Sequence, residues 1–117
     1  MIFGAVPPRI YIATRPVDFR KGIDGLAAVV LETLKLDPFS GTAFIFRAKR
    51  ADRVKILIWD GSGLILIYKR LEENKFRWPR IEDGMMRLSP AQLSALFEGL
   101  DWTKVRSLRQ RRPDAVQ

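Results

Sequence analysis

Neither cysteine nor histidine occurs in the 117 residues of this chain. Lack of cysteine excludes disulfides and thiol nucleophiles. Lack of histidine removes imidazole acid–base chemistry, and the two absences together exclude Cys/His zinc sites and Ser-His-Asp triads. No apolar run approaches the length of a bilayer-spanning helix; the stretch from Leu26 to Leu31 is typical of those present. The N-terminus has no basic segment and breaks at Pro7-Pro8, unlike a secretory signal peptide. These absences predict a soluble, cytoplasmic chain with no membrane partner and no cofactor.

What is present is a core and an excess of positive charge. Hydrophobic residues make up 47% of the chain, enough for one domain with a buried interior. The formal charge is +8 and unevenly placed. Residues 1–63 carry 10 cations and 6 acids, residues 64–103 carry 6 of each, and residues 104–117 carry 5 cations and 1 acid. Such a balance favours polyanionic partners, without implying sequence specificity.

Positions 9–13 read as a short strand, and positions 14–22 as a loop. Ile23, Leu26, Ala27, Val30, Leu31 and Leu34 then recur at the spacing of one stripe of a long amphipathic helix. Asp24 or Asp18 is placed to cap its start. Asp37-Pro38-Phe39-Ser40-Gly41 ends it, since proline biases its predecessor away from helix. Strands are predicted at 42–47, 53–60 and 64–71, the last two joined by the tight turn Asp60-Gly61-Ser62-Gly63. A two- or four-residue loop there pairs Arg53 with Arg70, Lys55 with Tyr68, Leu57 with Leu66 and Trp59 with Leu64. Val54, Ile56, Ile58, Ile65 and Ile67 then share the opposite face. Two further short strands are predicted at 75–78 and 85–88. Ser89-Pro90-Ala91-Gln92 has the form of a capping box with proline at the first helical position, opening a second helix striped by Leu93, Leu96, Phe97 and Leu100.

The expected fold is a single α+β domain over 1–103, with an antiparallel sheet of about five strands. One sheet face should pack on the long first helix, and the short second helix should close one end or edge of the core. Residues 104–117 should form a flexible basic tail.

An ordered set of motifs carries a family resemblance. It comprises Asp18-Phe19-Arg20-Lys21-Gly22-Ile23-Asp24-Gly25-Leu26, Asp37-Pro38-Phe39-Ser40-Gly41 and Phe44-Ile45-Phe46-Arg47. It continues with Asp52-Arg53-Val54-Lys55-Ile56-Leu57, Trp59-Asp60-Gly61 and Lys69-Arg70-Leu71-Glu72. Phe76-Arg77-Trp78-Pro79, Gln92-Leu93 and Glu98-Gly99-Leu100-Asp101-Trp102 complete it. In order and spacing the chain resembles the TnpB-type accessory family, the second open reading frame of insertion sequences of the family numbered sixty-six. Asn74 stands where that family more often has glycine, and asparagine tolerates the same left-handed turn. The resemblance implies a part in bacterial DNA transposition beside a separate transposase and a second small accessory protein. It assigns no catalytic residue.

Binding residues are therefore sought from chemistry. Arg20 and Lys21 sit beside Gly22 just before the first helix, where backbone N–H groups favour anions; the alternative is a solvated turn. The run lacks the spacing of a nucleotide-binding P-loop. Arg47, Lys49, Arg50, Arg53 and Lys55 put five cations in nine residues against one acid. Arg53 would face Arg70, a repulsion that a bound phosphate chain would relieve. Trp59 and Tyr68 on that face offer stacking platforms for bases. Alternatively Leu57, Trp59, Leu64 and Leu66 are covered by a helix or a second subunit. Lys104, Arg106, Arg109, Arg111 and Arg112 make a basic arm that either binds phosphates or is merely solvated. Asp24, Asp52 and Asp60 are the acids a metal nuclease would need, but Asp24-Gly25 and Asp60-Gly61 are turn dipeptides. The expectation is a non-enzymatic DNA-binding accessory factor without metal. The alternative is a module that docks on the transposase or self-associates without touching DNA.

Overall fold

The turn at Asp60 shows how local chemistry sets the sheet. Asp60 Oδ1 accepts from the Ser62 and Gly63 N–H groups, both at 2.9 Å. Asp60 N–H donates to the Gly63 carbonyl at 3.1 Å, which closes a four-residue loop. The flanking strands are β3 (Arg53–Trp59) and β4 (Leu64–Arg70) in the computed structural model, which describes Pro7 and residues 9–105. Their pairing is the register expected from the sequence, from Arg53 opposite Arg70 to Trp59 opposite Leu64.

With β1 (Ile10–Ala13), β2 (Ala43–Arg47) and β5 (Met85–Arg87) these strands form one five-stranded sheet, ordered β4-β3-β2-β1-β5. The sheet is mixed, not antiparallel as expected: β1 and β2 run parallel, with Tyr11 beside Phe44. A long crossover carrying the first helix joins them, the connection that parallel neighbours require. Residues 75–78 add no strand. Phe76 N–H and the Trp78 Nε1–H both donate to the Ala51 carbonyl, at 2.9 and 3.1 Å, so this segment folds over the sheet and buries Phe76.

The first helix, α1, has six α-helical residues (Ile23–Ala28) and runs directly into a five-residue π-helical segment, Val29–Thr33. It is shorter than the long helix expected, and the π turn breaks the predicted stripe. Leu34 N–H reaches back to the Val29 carbonyl and Leu36 N–H to that of Val30, both at 3.0 Å. These wider loops rotate the following residues relative to an α-helix. Leu26 and Val30 stay buried and Val29, Leu34 and Leu36 pack inward, but Leu31 is turned out and is 58% exposed. Neither aspartate caps α1; its N-cap is Gly22.

The second helix, α2 (Pro90–Phe97), starts at its expected capping box but ends before Leu100, which was expected in its stripe and is 56% exposed. Ser89 Oγ accepts from Gln92 N–H at 3.1 Å, and Gln92 Oε1 accepts from Ser89 N–H at 2.8 Å. At the other end Gly99 N–H bonds the Leu96 carbonyl and Leu100 N–H bonds that of Ala95. This double closure needs a left-handed residue, which Gly99 supplies at φ +80°. On one face of the sheet, Leu93 and Leu96 of α2 share a core with Phe76, Trp102, Ile10, Ile12, Ile45 and Ile56. The opposite face packs Phe44, Phe46 and Leu57 against Leu26 and Val30 of the α1 segment. A sheet covered on both sides explains why Ala43 to Phe46 are all buried without alternation.

Candidate nucleic-acid interface

Lys55, in the middle of β3, organises the first candidate region from within. Its residue is only 5% exposed. The Nζ donates to the backbone carbonyls of Phe19 at 2.7 Å and Lys21 at 2.9 Å. It also lies 5.1 Å from the Phe19 ring centre and 5.0 Å from that of Tyr68. A buried ammonium needs such partners, because its desolvation cost is otherwise unmet. Lys55 is therefore a tether for the loop ahead of α1, and its expected place among the exposed DNA-contacting cations is corrected. The motif Asp18-Phe19-Arg20-Lys21 and the strand carrying Lys55 fold as one unit.

That tether creates a groove neither segment possesses alone. The turn at residues 16–20 lies beside the loop at 48–50, and Val17 N–H bonds the Arg47 carbonyl at 2.9 Å. Between them is a concavity of about 440 Å³. Pro16, Val17, Phe19 and Ala48 supply apolar lining. Arg20, Lys49, Arg50 and Arg53 are cations on the same surface. Candidate cations from two sequence clusters thus meet in one place.

Their charges are not equally free. Arg20 grips Asp18 through three side-chain hydrogen bonds of 2.8 to 3.2 Å. The Arg20 guanidinium, helped by the Arg20 backbone N–H, holds the Asp18 carboxyl at about 2 against an ordinary 3.8. Arg50 lies 3.6 Å and Arg53 3.7 Å from Asp52, with Arg53 Nη1 also donating to the Tyr68 hydroxyl at 3.3 Å. These are long, loosely held contacts. Lys21 and Lys49 are exposed and have no acid within ion-pair distance among the described residues.

Other expected binding residues fall elsewhere. Arg47 donates to the Ala48 carbonyl and packs its guanidinium 5.4 Å from the Trp78 ring centre. Burial pulls its pKa below the ordinary value. Arg70 does face Arg53, but Glu72 at 3.0 Å balances it, so the expected repulsion is offset inside the protein. Lys104, assigned to the tail, sits in a 3₁₀ turn (Trp102–Lys104), 3.9 Å from Asp101. Arg106, Arg109, Arg111 and Arg112 lie outside the described residues.

The expected apolar face also divides. Leu57 is completely buried under α1, which removes it as an interface anchor, and Leu64 and Leu66 are half-buried against the same cluster. Trp59 is half-buried and meets Phe39 edge-to-face at 5.4 Å. Tyr68 remains 48% exposed, with its ring edge-to-face on Phe19 at 5.7 Å. Of the acids considered, Asp60 is occupied by its own turn and Asp52 by the two arginines.

Sequence reasoning did not place Phe19 or the proline–valine wall at a site. A cue was available in Phe19 itself, a large apolar residue set between Asp18 and Arg20. Lys69 was also unassigned; its Nζ donates to the Phe97 carbonyl at 2.7 Å and sits over the Phe97 ring.

Fold and groove together define a small α+β domain that presents a concave, cation-rimmed surface. Among the described residues no helix is long and apolar enough to cross a membrane. The chain belongs to the family described as IS66 Orf2 like protein, whose model matches residues 8–107. It is similar to the uncharacterised protein y4jC of Sinorhizobium fredii, 50% identical over 108 residues and covering 92% of each chain. A second uncharacterised protein of that organism, y4hO, is 45% identical over 94 residues, covering 80% of this chain and 82% of the relative. No solved structure matches the chain. Family membership suggests an accessory role in insertion-sequence transposition.

Proposed function

We propose that this protein is a non-enzymatic accessory factor for transposition, acting in the cytoplasm beside a separate transposase and contacting DNA directly. The observation that carries this reading is the convergence of Arg20 with Lys49, Arg50 and Arg53 on one groove. Phosphates compete well for cations whose internal partners are distant or exposed, because such ion pairs contribute little on their own. Lys21, Arg106, Arg109, Arg111 and Arg112 add to the positive charge available for phosphate contacts. The test is DNA affinity across a salt series. Four phosphate contacts should lose roughly 100-fold in affinity between about 50 and 200 mM salt. Replacing Lys49 and Arg50 together with alanine should weaken binding and flatten that dependence. Absence of DNA binding at low ionic strength would sink the proposal.

A second reading is a protein-docking module that binds the transposase, the second accessory protein or another copy of this chain. Phe39 favours it: this ring is 55% exposed while packed on Trp59. Aromatic pairs of this kind are frequent interface anchors. Recovery of the transposase on the wild-type protein after nuclease digestion, lost in Phe39→Ser, would support docking independent of DNA.

A further inference from the structure

We infer that the groove takes an unpaired nucleotide, so that the protein binds single-stranded DNA in preference to duplex. This inference rests on the DNA-contacting reading above and specifies the form of DNA that fits the site.

The lining combines two chemistries. Pro16, Val17, Phe19 and Ala48 are apolar, whereas Arg20, Lys49, Arg50 and Arg53 bring positive charge to the same concavity. An intact duplex presents sugars and phosphates outward and keeps its bases stacked inside. Its phosphates can meet the cations, but the apolar wall gains nothing from them. An unpaired nucleotide has a flat apolar base joined to a phosphate, and satisfies both. The concavity, at about 440 Å³, lies in the range that small ligands occupy.

Aromatic rings stand at the place this arrangement requires. Phe19 lines the groove. Tyr68 does not line the groove itself, but its half-exposed ring packs against Phe19 and its hydroxyl accepts a hydrogen bond from Arg53, two residues that do. The Lys55 ammonium lies near both rings and bonds the Phe19 carbonyl, which holds the pair in place. Sequence-tolerant single-strand binding uses just this pairing of aromatic platforms with a cationic track. Asp18 is the one acid in the lining, and Arg20 neutralises it. Arg53 keeps its Nε buried 3.7 Å from Asp52, but its Nη1 makes only a weak 3.3 Å bond to Tyr68, which a phosphate can replace.

The experiment is fluorescence anisotropy on the full chain at low salt, with a labelled oligo(dT) and a blunt duplex of the same length. The single strand should bind about tenfold more tightly, as expected for one stacked base. Tyr68→Ala should remove most of that preference, and Tyr68→Phe, which keeps the ring, should restore it. Tyr68 is exposed enough for the alanine variant to fold, which circular dichroism checks. Equal or tighter duplex binding would overturn the inference and leave the DNA-contacting reading intact. A preference unchanged in Tyr68→Ala would also overturn it. Polyglutamate of matched charge that competes as well as oligo(dT) would do the same, since it would mark a site for any polyanion, including an acidic protein segment. If neither oligonucleotide binds, the inference and the underlying reading fall together.

Discussion

The two faces of the sheet use the same device for different ends. On the α1 face, Lys55 donates to the carbonyls of Phe19 and Lys21; on the α2 face, Lys69 donates to that of Phe97. Each lysine also lies against an aromatic ring, Phe19 or Phe97. Lys69 meets the C-terminal end of a helix that is already capped at both ends, where a cation complements the helix dipole. Lys55 meets a loop with no regular structure of its own and ties it to the sheet, beside the Val17–Arg47 backbone bond. The α2 face is closed by local motifs and large buried side chains, including Trp102, whose Nε1–H donates to the Arg77 carbonyl at 2.8 Å. The α1 face carries the π turn, exposed Leu31 and Phe39, and the cation-rimmed groove. Both faces bury a core of large apolar side chains, and the α1 face carries the proposed site as well.

Removing the two lysines tests that contrast most strongly. Lys55→Met should destabilise the fold by about 3 kcal/mol, because two carbonyls lose a charged donor in a buried setting. It should also weaken DNA binding under conditions where the protein remains folded, as the groove loses its anchored wall. Urea unfolding and anisotropy read the two effects. Lys69→Met should cost about 1–2 kcal/mol and leave DNA affinity unchanged. Equal effects on DNA binding would erase the functional difference between the faces.

Gly99 gives a smaller effect confined to the α2 face. At φ +80° an alanine is strained, and its Cβ would stand 3.1 Å from Leu71 Cδ1. Gly99→Ala should lower stability by about 1 kcal/mol with no change in DNA affinity. A shifted DNA affinity would show that the two faces are coupled.

The smallest expected effect concerns Asp18. Its carboxyl is held at about 2, below the ordinary 3.8, mainly by the Arg20 guanidinium and then by the Arg20 backbone N–H. A depressed folded-state pKa favours folding above the unfolded value. That contribution should be present above about pH 3.8 and disappear as pH falls through about 2. Because the pair is exposed, screening keeps it small. An NMR titration of the Asp18 carboxyl checks it; a midpoint near 3.8 would mean the turn is not held by Arg20 in solution.

Much of the local structure was legible. The Asp60 turn specified the β3–β4 register residue for residue, since its length leaves little choice of pairing. Ser89-Pro90-Ala91-Gln92 marked the start of α2, and Asn74 adopts the left-handed conformation its position suggested, at φ 70°. The helical stripe was correct at Leu26, Ala27, Val30 and Leu34, but Ile23 at its start is 38% exposed, and Leu31 is turned out because hydrophobic spacing assumes an α-helical period that the π turn interrupts. The clustering of cations around residues 47–55 was visible, but their availability was not. Lysines near one another in sequence can stand in opposite environments: Lys49 in solvent, Lys55 in the core.

Turns, caps and family motifs depend on neighbours a few residues apart, so their physics is written in adjacent letters. The parallel pairing of β1 with β2, the packing of α2 with Phe76 and Trp102 in one core and the burial of Lys55 under residues 19–21 depend on segments that meet only after folding. The run Asp18-Phe19-Arg20-Lys21 announced a turn; its joining to the loop at 48–50 as a single groove came from the buried Lys55 and the Val17–Arg47 backbone bond.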